Sequence, residues 1–197
     1  MINKLESNGL YLNKDTENWI SSHYREAQIV RHALKAEKTR GIEYYQSMSK
    51  TLLPHINPNN NMICLGTRNN HERDCFKKEL NLKEVYSADI SPKSNADYVL
   101  DFNSLPREWE NSWDIVFSNS IDHALDPTKI FFSWLDIVKP NGYLFIGFNL
   151  TDNDLTSADC NSFEEEGVRS FLKECGNQCS LVAENNHCYF HCLIRKN

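Results

Sequence analysis

The segment VKPNGYLFI, residues 138–146, joins the end of a helix, a Pro-x-Gly turn and the start of a buried strand. Pro140 and Gly142 punctuate regular structure. The apolar run YLFIGFN at 143–149 is typical of a strand that is covered on both faces. The periodicity before the turn predicts a helix over 128–138. A helix followed directly by such a strand indicates alternating α/β structure.

The same alternation extends on both sides of this segment. Strands alternating with helices of about ten residues favour a mainly parallel sheet covered on both faces. The last two strands have no helix between them, so we expect an antiparallel hairpin, because a parallel crossover needs about a dozen residues or more. The pattern predicts further strands at 62–65, 85–90, 98–102, 113–118, 180–183 and 188–194, and helices at 71–80 and 163–174.

Composition limits the class of protein. The chain has 197 residues, 40% hydrophobic and 24% charged, which suits one globular core. No apolar run is long enough to cross a membrane, and the N-terminus lacks the apolar stretch of a secretory signal. Seven cysteines, an odd number, argue against a disulfide framework, so we expect a cytoplasmic protein. A net charge of −6 without a basic block disfavours nucleic acid and favours a small-molecule partner. We expect a monomer or homodimer.

The N-terminal part has a different pattern. Apolar spacing predicts an amphipathic helix over 15–41 and a second helix over 42–53, which ends before Pro54. We interpret 1–57 as a helical lid and 58–197 as the core of the same domain. The aromatic residues of the lid either line an acceptor site or pack in the core: Trp19, Tyr24, Tyr44 and Tyr45.

Ligands in an open α/β sheet bind beyond the carboxyl ends of the strands. The first strand is followed by Gly66, which permits close backbone approach to a ligand. Asp89 ends the second strand 23 positions later, near the roughly 20-residue offset of a ribose-binding acid. Asp101 and Phe102 follow the third strand, where an acid and a ring suit a purine. Each of these residues also has a structural interpretation, as a turn, a cap or a core residue.

We call the residues directly after each strand its exit, and the exit of the fourth strand is the most polar. Ser118, Asn119, Ser120, Asp122 and His123 lie within six positions directly after an apolar strand. This is where a doubly wound fold places the reacting substrate.

The order of five segments carries a family resemblance. They are MICLGTRNN (62–70), VYSADIS (85–91), DYVLDFNSLP (97–106), WDIVFSNSIDHALDP (113–127) and VKPNGYLFIGF (138–148). Over 62–149 the chain resembles the class I S-adenosylmethionine-dependent methyltransferases, and the terminal hairpin is also similar. The resemblance implies a Rossmann-like, doubly wound sheet of seven strands in the order 3-2-1-4-5-7-6, with strand 7 antiparallel.

The resemblance also implies a cofactor site for S-adenosyl-L-methionine, with S-adenosyl-L-homocysteine as product. Asp89 would bind the ribose, Asp101 and Phe102 would flank the adenine, and Gly66 would lie behind the methionine moiety. Residues 118–120 would lie near the methyl group. The full set of predicted cofactor-binding residues is Leu65, Gly66, Thr67, Arg68, Asn70, Asp89, Ile90, Ser91, Asp101, Phe102, Ser118, Asn119 and Ser120.

The first loop departs from the family pattern. The family carries glycines in a GxGxG-like run, but here Gly66 is followed by Thr67, Arg68, Asn69 and Asn70. Asparagine tolerates left-handed backbone, so we expect it to replace a glycine, while Arg68 or Asn70 meets the carboxylate of the ligand. The other interpretation is a catalytically inactive binding or regulatory protein.

His123 is the predicted general base, since its ordinary pKa suits proton removal at neutral pH. Asp122 either orients it or acts itself, and a substrate contact without proton exchange stays open for His123. The segment SNSIDH lacks the Asn/Asp-Pro-Pro-aromatic sequence of nucleic-acid amine methyltransferases, which favours O-methylation of a sugar or metabolite hydroxyl. The absent GxGxxG run and the terminal hairpin disfavour a nicotinamide-dependent oxidoreductase.

The C-terminal cysteines and histidines do not predict a metal site. They lack paired CxxC spacing. Alternation along the last strand puts Cys188 and Cys192 in the core and predicts a surface row of His187, Tyr189 and His191.

Overall fold

A computed structural model describes residue 26 and residues 29–30, 40–150, 161–186 and 190–197. The seven strands form one sheet in the order β3-β2-β1-β4-β5-β7-β6. The first five strands run parallel, and β7 is antiparallel to both of its neighbours. The predicted Rossmann-like α/β fold and strand order are confirmed. The strands are β1 (Asn61–Leu65), β2 (Glu84–Asp89), β3 (Tyr98–Val99), β4 (Trp113–Ser118), β5 (Val138–Phe148), β6 (Cys179–Asn185) and β7 (Phe190–Lys196).

Helices cover both faces of the sheet. Helices α1 (Ile42–Leu52) and α2 (His71–Glu79) pack on one face, against alternate residues of β1, β4 and β5. Helices α3 (Pro127–Ile137) and α4 (Glu165–Glu174) pack on the other. Three short 3₁₀ helices complete the described chain, at Leu53–His55, Arg107–Trp109 and Ile121–His123. None of the helices in the described ranges has the length and apolarity needed to span a membrane.

The predicted turn before β5 lies within the strand. Trp113 pairs with Val138, whereas Ile115 pairs with Tyr143, so the intervening residues of β5 form a wide irregularity in the ladder. Asn141 takes up the bend with a φ of +65°, as asparagine tolerates better than most residues. The turn residues therefore interrupt the register without ending the strand, and the predicted strand start at 143 was too late.

The third strand is shorter than predicted. Only Tyr98 and Val99 pair as a strand with β2. Leu100 still donates a backbone hydrogen bond to Asp89 O at 2.9 Å, but the chain then enters a turn at Asp101, where Ser104 N bonds Asp101 O. The turn chemistry of Asp101 and Asn103 therefore ends the strand.

The surface position predicted for His191 is wrong. The residue is 0% exposed, and its Nε2 lies 2.7 Å from the hydroxyl of Tyr44 on α1. Because α1 covers this face of the sheet beside β7, both faces of the strand are buried, and Cys192 is buried on the opposite side as predicted. His187, Cys188 and Tyr189 lie outside the described residues.

Most of the predicted lid also lies outside the described residues, including Trp19 and Tyr24. In α1, Tyr44 and Tyr45 are both buried. Tyr45 packs edge-on against Phe76 of α2, with ring centroids 5.5 Å apart. These two aromatic residues thus fix α1 to the sheet and to α2.

Candidate functional site

The loop after β1 requires glycine at position 66. Gly66 has a φ of +74°, and its N–H donates to Ala88 O at 2.8 Å. A Cβ atom there would come within 2.7 Å of Ser120 Oγ. Both the backbone conformation and the close packing against the β4 exit therefore exclude a side chain.

Arg68 occupies the second left-handed position of this loop, where an asparagine was expected. Its φ is +57°, a conformation that costs a non-glycine residue roughly 1–2 kcal/mol. The Arg68 N–H donates to Asp89 Oδ2 at 2.8 Å, which offsets part of this cost. Asn70 has a φ of −81°, and its side chain bonds Ser87 Oγ and Asn95 O. Asn70 therefore ties the loop to β2.

Asp89 connects the first two strand exits. It is 1% exposed, and its second oxygen, Oδ1, accepts from Ser91 N at 2.8 Å. Both carboxylate oxygens thus accept a backbone N–H, from Arg68 and Ser91.

The third exit has a local turn geometry. Asp101 Oδ1 accepts from both the backbone and the side-chain nitrogen of Asn103, at 2.9 and 2.8 Å. Phe102 is buried, and its ring packs edge-on against Trp134 at a centroid distance of 5.4 Å. The cap and core interpretations account for these contacts, although the Phe102 ring also borders Gly66.

Serine hydroxyl groups join the β4 exit to β1. Ser118 Oγ donates to Leu65 O at 3.0 Å and accepts from Ser120 N at 3.2 Å. Asp122 and His123 follow in the 3₁₀ turn and are both buried. The Nε2 atom of His123 lies 3.8 Å from Asp122 Oδ1. The segment after β4 therefore holds an acid and a histidine close together.

A cavity of about 230 Å³ opens where these exits meet α1 and α2. It lies at the carboxyl edge of the sheet, where this fold class binds ligands. Its lining residues are Arg40, Tyr45, Gly66, Thr67, Arg68, Asn69, Glu72 and Asn119.

Glu72 is the chemically unusual residue of this cavity. Its side chain is 4% exposed, and Oε2 accepts from Asn119 Nδ2 at 3.4 Å. Its other oxygen, Oε1, and the buried Thr67 Oγ1 have no hydrogen-bond partner among the described residues. Burial raises the pKa of Glu72 to about 8, against the opposing effect of Arg40 and Arg68. Buried polar atoms are normally paired, so these two atoms indicate a ligand position.

The cavity wall includes four of the predicted site residues: Gly66, Thr67, Arg68 and Asn119. The remaining predicted residues are not among those that line this cavity. They are Leu65, Asn70, Asp89, Ile90, Ser91, Asp101, Phe102, Ser118, Ser120, Asp122 and His123. In the described part of the chain, no cluster of three or more histidine, cysteine or acidic residues could hold a metal ion.

Glu72 and Arg40 were missed by sequence reasoning. Glu72 shares one helix face with Cys75 and Phe76, at spacings of three and four residues. Both of these neighbours are buried. The sequence pattern thus indicated Glu72, because it is an acidic residue on the buried face of an amphipathic helix. Arg40 carried no comparable signal.

Comparison with solved structures identifies the fold. No family model and no curated protein matches the sequence. An S-adenosylmethionine-dependent methyltransferase of Aquifex aeolicus is 15% identical, with a TM-score of 0.56 over 81% of this chain and 100% of that chain. The chain has the class I methyltransferase fold.

Two further structures share this methyltransferase fold. The 1,6-didemethyltoxoflavin-N1-methyltransferase of Burkholderia thailandensis, solved with that substrate and S-adenosylhomocysteine, is 12% identical. Its TM-score is 0.58, over 100% of this chain and 99% of that chain. A structure from a complex with the Haloferax volcanii methyltransferase activator Trm112 is 16% identical, with a TM-score of 0.59 over 87% and 79%.

Proposed function

We propose that this protein is an S-adenosylmethionine-dependent methyltransferase that acts on a small-molecule acceptor. The observation that carries the proposal is a pair of buried oxygens, Thr67 Oγ1 and Glu72 Oε1, in a cavity at the carboxyl edge of β1, where neither has a hydrogen-bond partner in the described part of the chain. The fold, in which this edge forms the ligand site, supports the same conclusion.

The residues present fit one end of the cofactor. A cavity of about 230 Å³ is below the roughly 300–1,000 Å³ of pockets that hold a complete drug-sized ligand, so it suits the polar methionine end. Gly66 has no side chain, so its backbone forms part of the cavity wall. Arg68 supplies a guanidinium group there, and Glu72 supplies a carboxyl group. Asp89 would hold the ribose, with Asp101 and Phe102 at the adenine end.

S-adenosylmethionine, when bound, supplies a methyl group on a positively charged sulfur, and the acceptor takes it by in-line displacement. The chain itself would align the acceptor and accept its proton. We assign the acceptance of this proton to His123, which is buried three residues beyond Ser120 in the β4 exit. Asp122, with its carboxylate 3.8 Å away, would stabilise the resulting imidazolium ion.

An acceptor with a hydroxyl group, on a sugar or another metabolite, agrees best with a histidine base. A hydroxyl must lose its proton during transfer, whereas a neutral amine can attack first and lose its proton later. We further infer that the N-terminal residues 1–57 close over the acceptor, with α1 as the part that anchors them. We propose that the protein is cytoplasmic, because an odd number of cysteines argues against a disulfide framework.

A second candidate function is a binding or regulatory protein that has lost its cofactor. The observation in its favour is that Arg68 replaces a loop glycine while Asp89 already accepts two backbone hydrogen bonds. In that case the acid would serve only to fix the loop.

A thermal-shift titration with S-adenosylhomocysteine tests the proposed function. A ligand that binds only the folded state adds about 2.7 kcal/mol to the free energy of unfolding at 100 times its Kd, so the Tm should rise with concentration. Transfer of a labelled methyl group to a metabolite fraction then tests activity. The His123→Gln variant should bind S-adenosylhomocysteine like the natural protein and lose at least 100-fold in turnover. An unchanged Tm at millimolar ligand would favour the second candidate.

A further inference from the structure

We propose that the cavity recognises an α-amino-acid group, in which Glu72 binds the ammonium and the two arginines, Arg40 and Arg68, bind the carboxylate. The inference rests on the proposed function where it names the methionine end of the cofactor as the natural source of that group. It goes beyond that function by assigning the recognition to three named side chains.

The two oxygens without a partner among the described residues, Glu72 Oε1 and Thr67 Oγ1, indicate which groups a ligand must supply. Glu72 Oε1 is a buried carboxylate oxygen and accepts hydrogen bonds when ionised. An ammonium group has three donors and would satisfy it. Thr67 Oγ1, also buried without a partner in the described chain, donates or accepts and so fits either half of an amino-acid group.

The balance of charge favours a ligand that carries both charges. Arg40 and Arg68 line the cavity with Glu72 and act on its ionisation, so a lone cation would meet two positive groups. A lone anion would pair with the guanidinium groups but would bring no donor for Glu72 Oε1. A zwitterion presents its carboxylate to the guanidinium groups and its ammonium to Glu72.

The position of Glu72 in the fold aims it at the cavity. It lies in the first turn of α2, directly after the loop that contains Thr67 and Arg68. Asn119 holds its other oxygen at 3.4 Å, which leaves Oε1 as the contact for a ligand. Asn119 belongs to the β4 exit, where the acceptor is expected, so one side chain connects the two parts of the site.

The protonation state of Glu72 adds a measurable consequence. Its pKa is raised to about 8, chiefly by burial, and the charged or titratable groups around it are Arg40, Arg68, Asp89, Tyr45, Cys64 and Cys75. Most Glu72 side chains are therefore protonated at pH 7 in the empty protein. An ammonium ligand favours the ionised form, so its binding should release close to one proton per site at pH 7.

Isothermal titration calorimetry with three ligands tests the proposal on the full chain. S-adenosylhomocysteine carries the amino-acid group, 5′-methylthioadenosine lacks it, and methionine carries it without the nucleoside. The Glu72→Gln variant should weaken S-adenosylhomocysteine binding at least tenfold and leave 5′-methylthioadenosine binding within twofold. The matched control, Asp74→Asn, makes the same acid-to-amide change at an exposed position in the same turn and should change neither affinity.

The outcomes separate this inference from the proposed function. If Glu72→Gln leaves the S-adenosylhomocysteine affinity unchanged, or lowers both nucleoside affinities equally, the amino-acid role of Glu72 is wrong while cofactor binding stands. If only methionine binds, and binds through Glu72, the amino-acid site stands and the methyltransferase proposal fails. If no ligand binds, or if inorganic phosphate binds more tightly to the Glu72→Gln variant, the zwitterion site is wrong.

Proton release distinguishes ligand binding by Glu72 from a purely structural role, which would not change the number of protons released. Calorimetry in two buffers of different ionisation enthalpy measures the protons released on binding. The natural protein should release close to one at pH 7 and the Glu72→Gln variant should release none. Equal release by the two proteins would contradict the role of Glu72.

Discussion

Glu72 carries its carboxyl group in a place where an ionised acid is costly. At 4% exposure it has lost nearly all contact with water, and one of its oxygens has no hydrogen-bond partner among the described residues. Sites that bind ligands often keep such groups at the expense of stability. The same residue should therefore control both ligand recognition and the pH dependence of the free energy of unfolding.

We expect the Glu72→Gln variant to become more stable than the natural protein as pH rises. The folded-state pKa of about 8 exceeds the ordinary value of about 4.3 for an unfolded chain. The contribution of this carboxyl group is thus fully present at low pH, falls as pH rises between these values, and is constant above the higher one. Glutamine does not titrate, so the difference in unfolding free energy should grow by about 1.4 kcal/mol per pH unit between pH 5 and pH 8.

Urea denaturation of the ligand-free proteins at several pH values measures this difference. The Asp74→Asn variant serves as the control, because it makes the same acid-to-amide change at an exposed position in the same turn. A constant gap between the Glu72→Gln variant and the natural protein over the whole range would mean that Glu72 has an ordinary pKa in the fold.

Single residues were predictable from sequence where their backbone geometry determines their identity. At Gly66 the φ of +74° and the close packing of Ser120 require a glycine, whereas its close approach to a ligand stays a prediction. The left-handed residue after it was expected to be an asparagine and is Arg68, because a hydrogen bond to Asp89, distant in sequence, stabilises it there. Contacts of that kind cannot be read from local propensity.

At the scale of elements, the order of the motifs was sufficient to predict the strand order, whereas the boundaries depended on irregular pairing. β5 begins five residues before its predicted start because a bulge places Pro140 and Gly142 inside the strand. Likewise, the alternation along β7 correctly predicted that Cys192 is buried. It did not show that the other face of the strand is covered by α1.

The bulge in β5 gives a prediction about stability. A Cβ atom at Gly142 would lie 2.7 Å from Asp114 O, 2.8 Å from Val138 Cγ1 and 3.0 Å from Lys139 O. Since two of these atoms belong to the backbone, Gly142→Ala should lower the free energy of unfolding by about 1–3 kcal/mol. Urea denaturation measures the loss. S-adenosylhomocysteine affinity below the Tm should stay the same, because the bulge lies at the edge of the sheet opposite the cavity.

Gly41→Ala is the control for this prediction. A Cβ atom at Gly41 would meet only the carboxyl group of Glu43, which is exposed and rotates away. Its effect should stay below about 1 kcal/mol. If the two alanine variants are equally stable, the bulge is not as tightly packed as its geometry indicates.

At the scale of the whole molecule, two apolar layers enclose the sheet and leave the ligand site at its carboxyl edge. One core lies under α1 and α2, the other under α3 and α4. The cavity sits where the first layer meets the loops, so α1 is at once part of the core and a wall of the site.

The charge of the whole molecule leads to the last prediction, which concerns the acceptor class. The chain carries a net charge of −6, and several of its described basic side chains are paired with acids: Arg73 with Asp97 at 2.9 Å, Lys139 with Asp114 at 2.9 Å and Arg169 with Glu184 at 2.7 Å. Nucleic-acid binding draws most of its affinity from unpaired cationic groups that displace counterions from phosphates, with nonspecific Kd values of about 10⁻⁴–10⁻⁶ M. We therefore expect no saturable change in the fluorescence anisotropy of a labelled single-stranded RNA or double-stranded DNA at physiological salt and about 10 μM protein. Binding that weakens steeply as salt rises would contradict a small-molecule acceptor, because it would reveal a phosphate-binding surface that the net charge conceals.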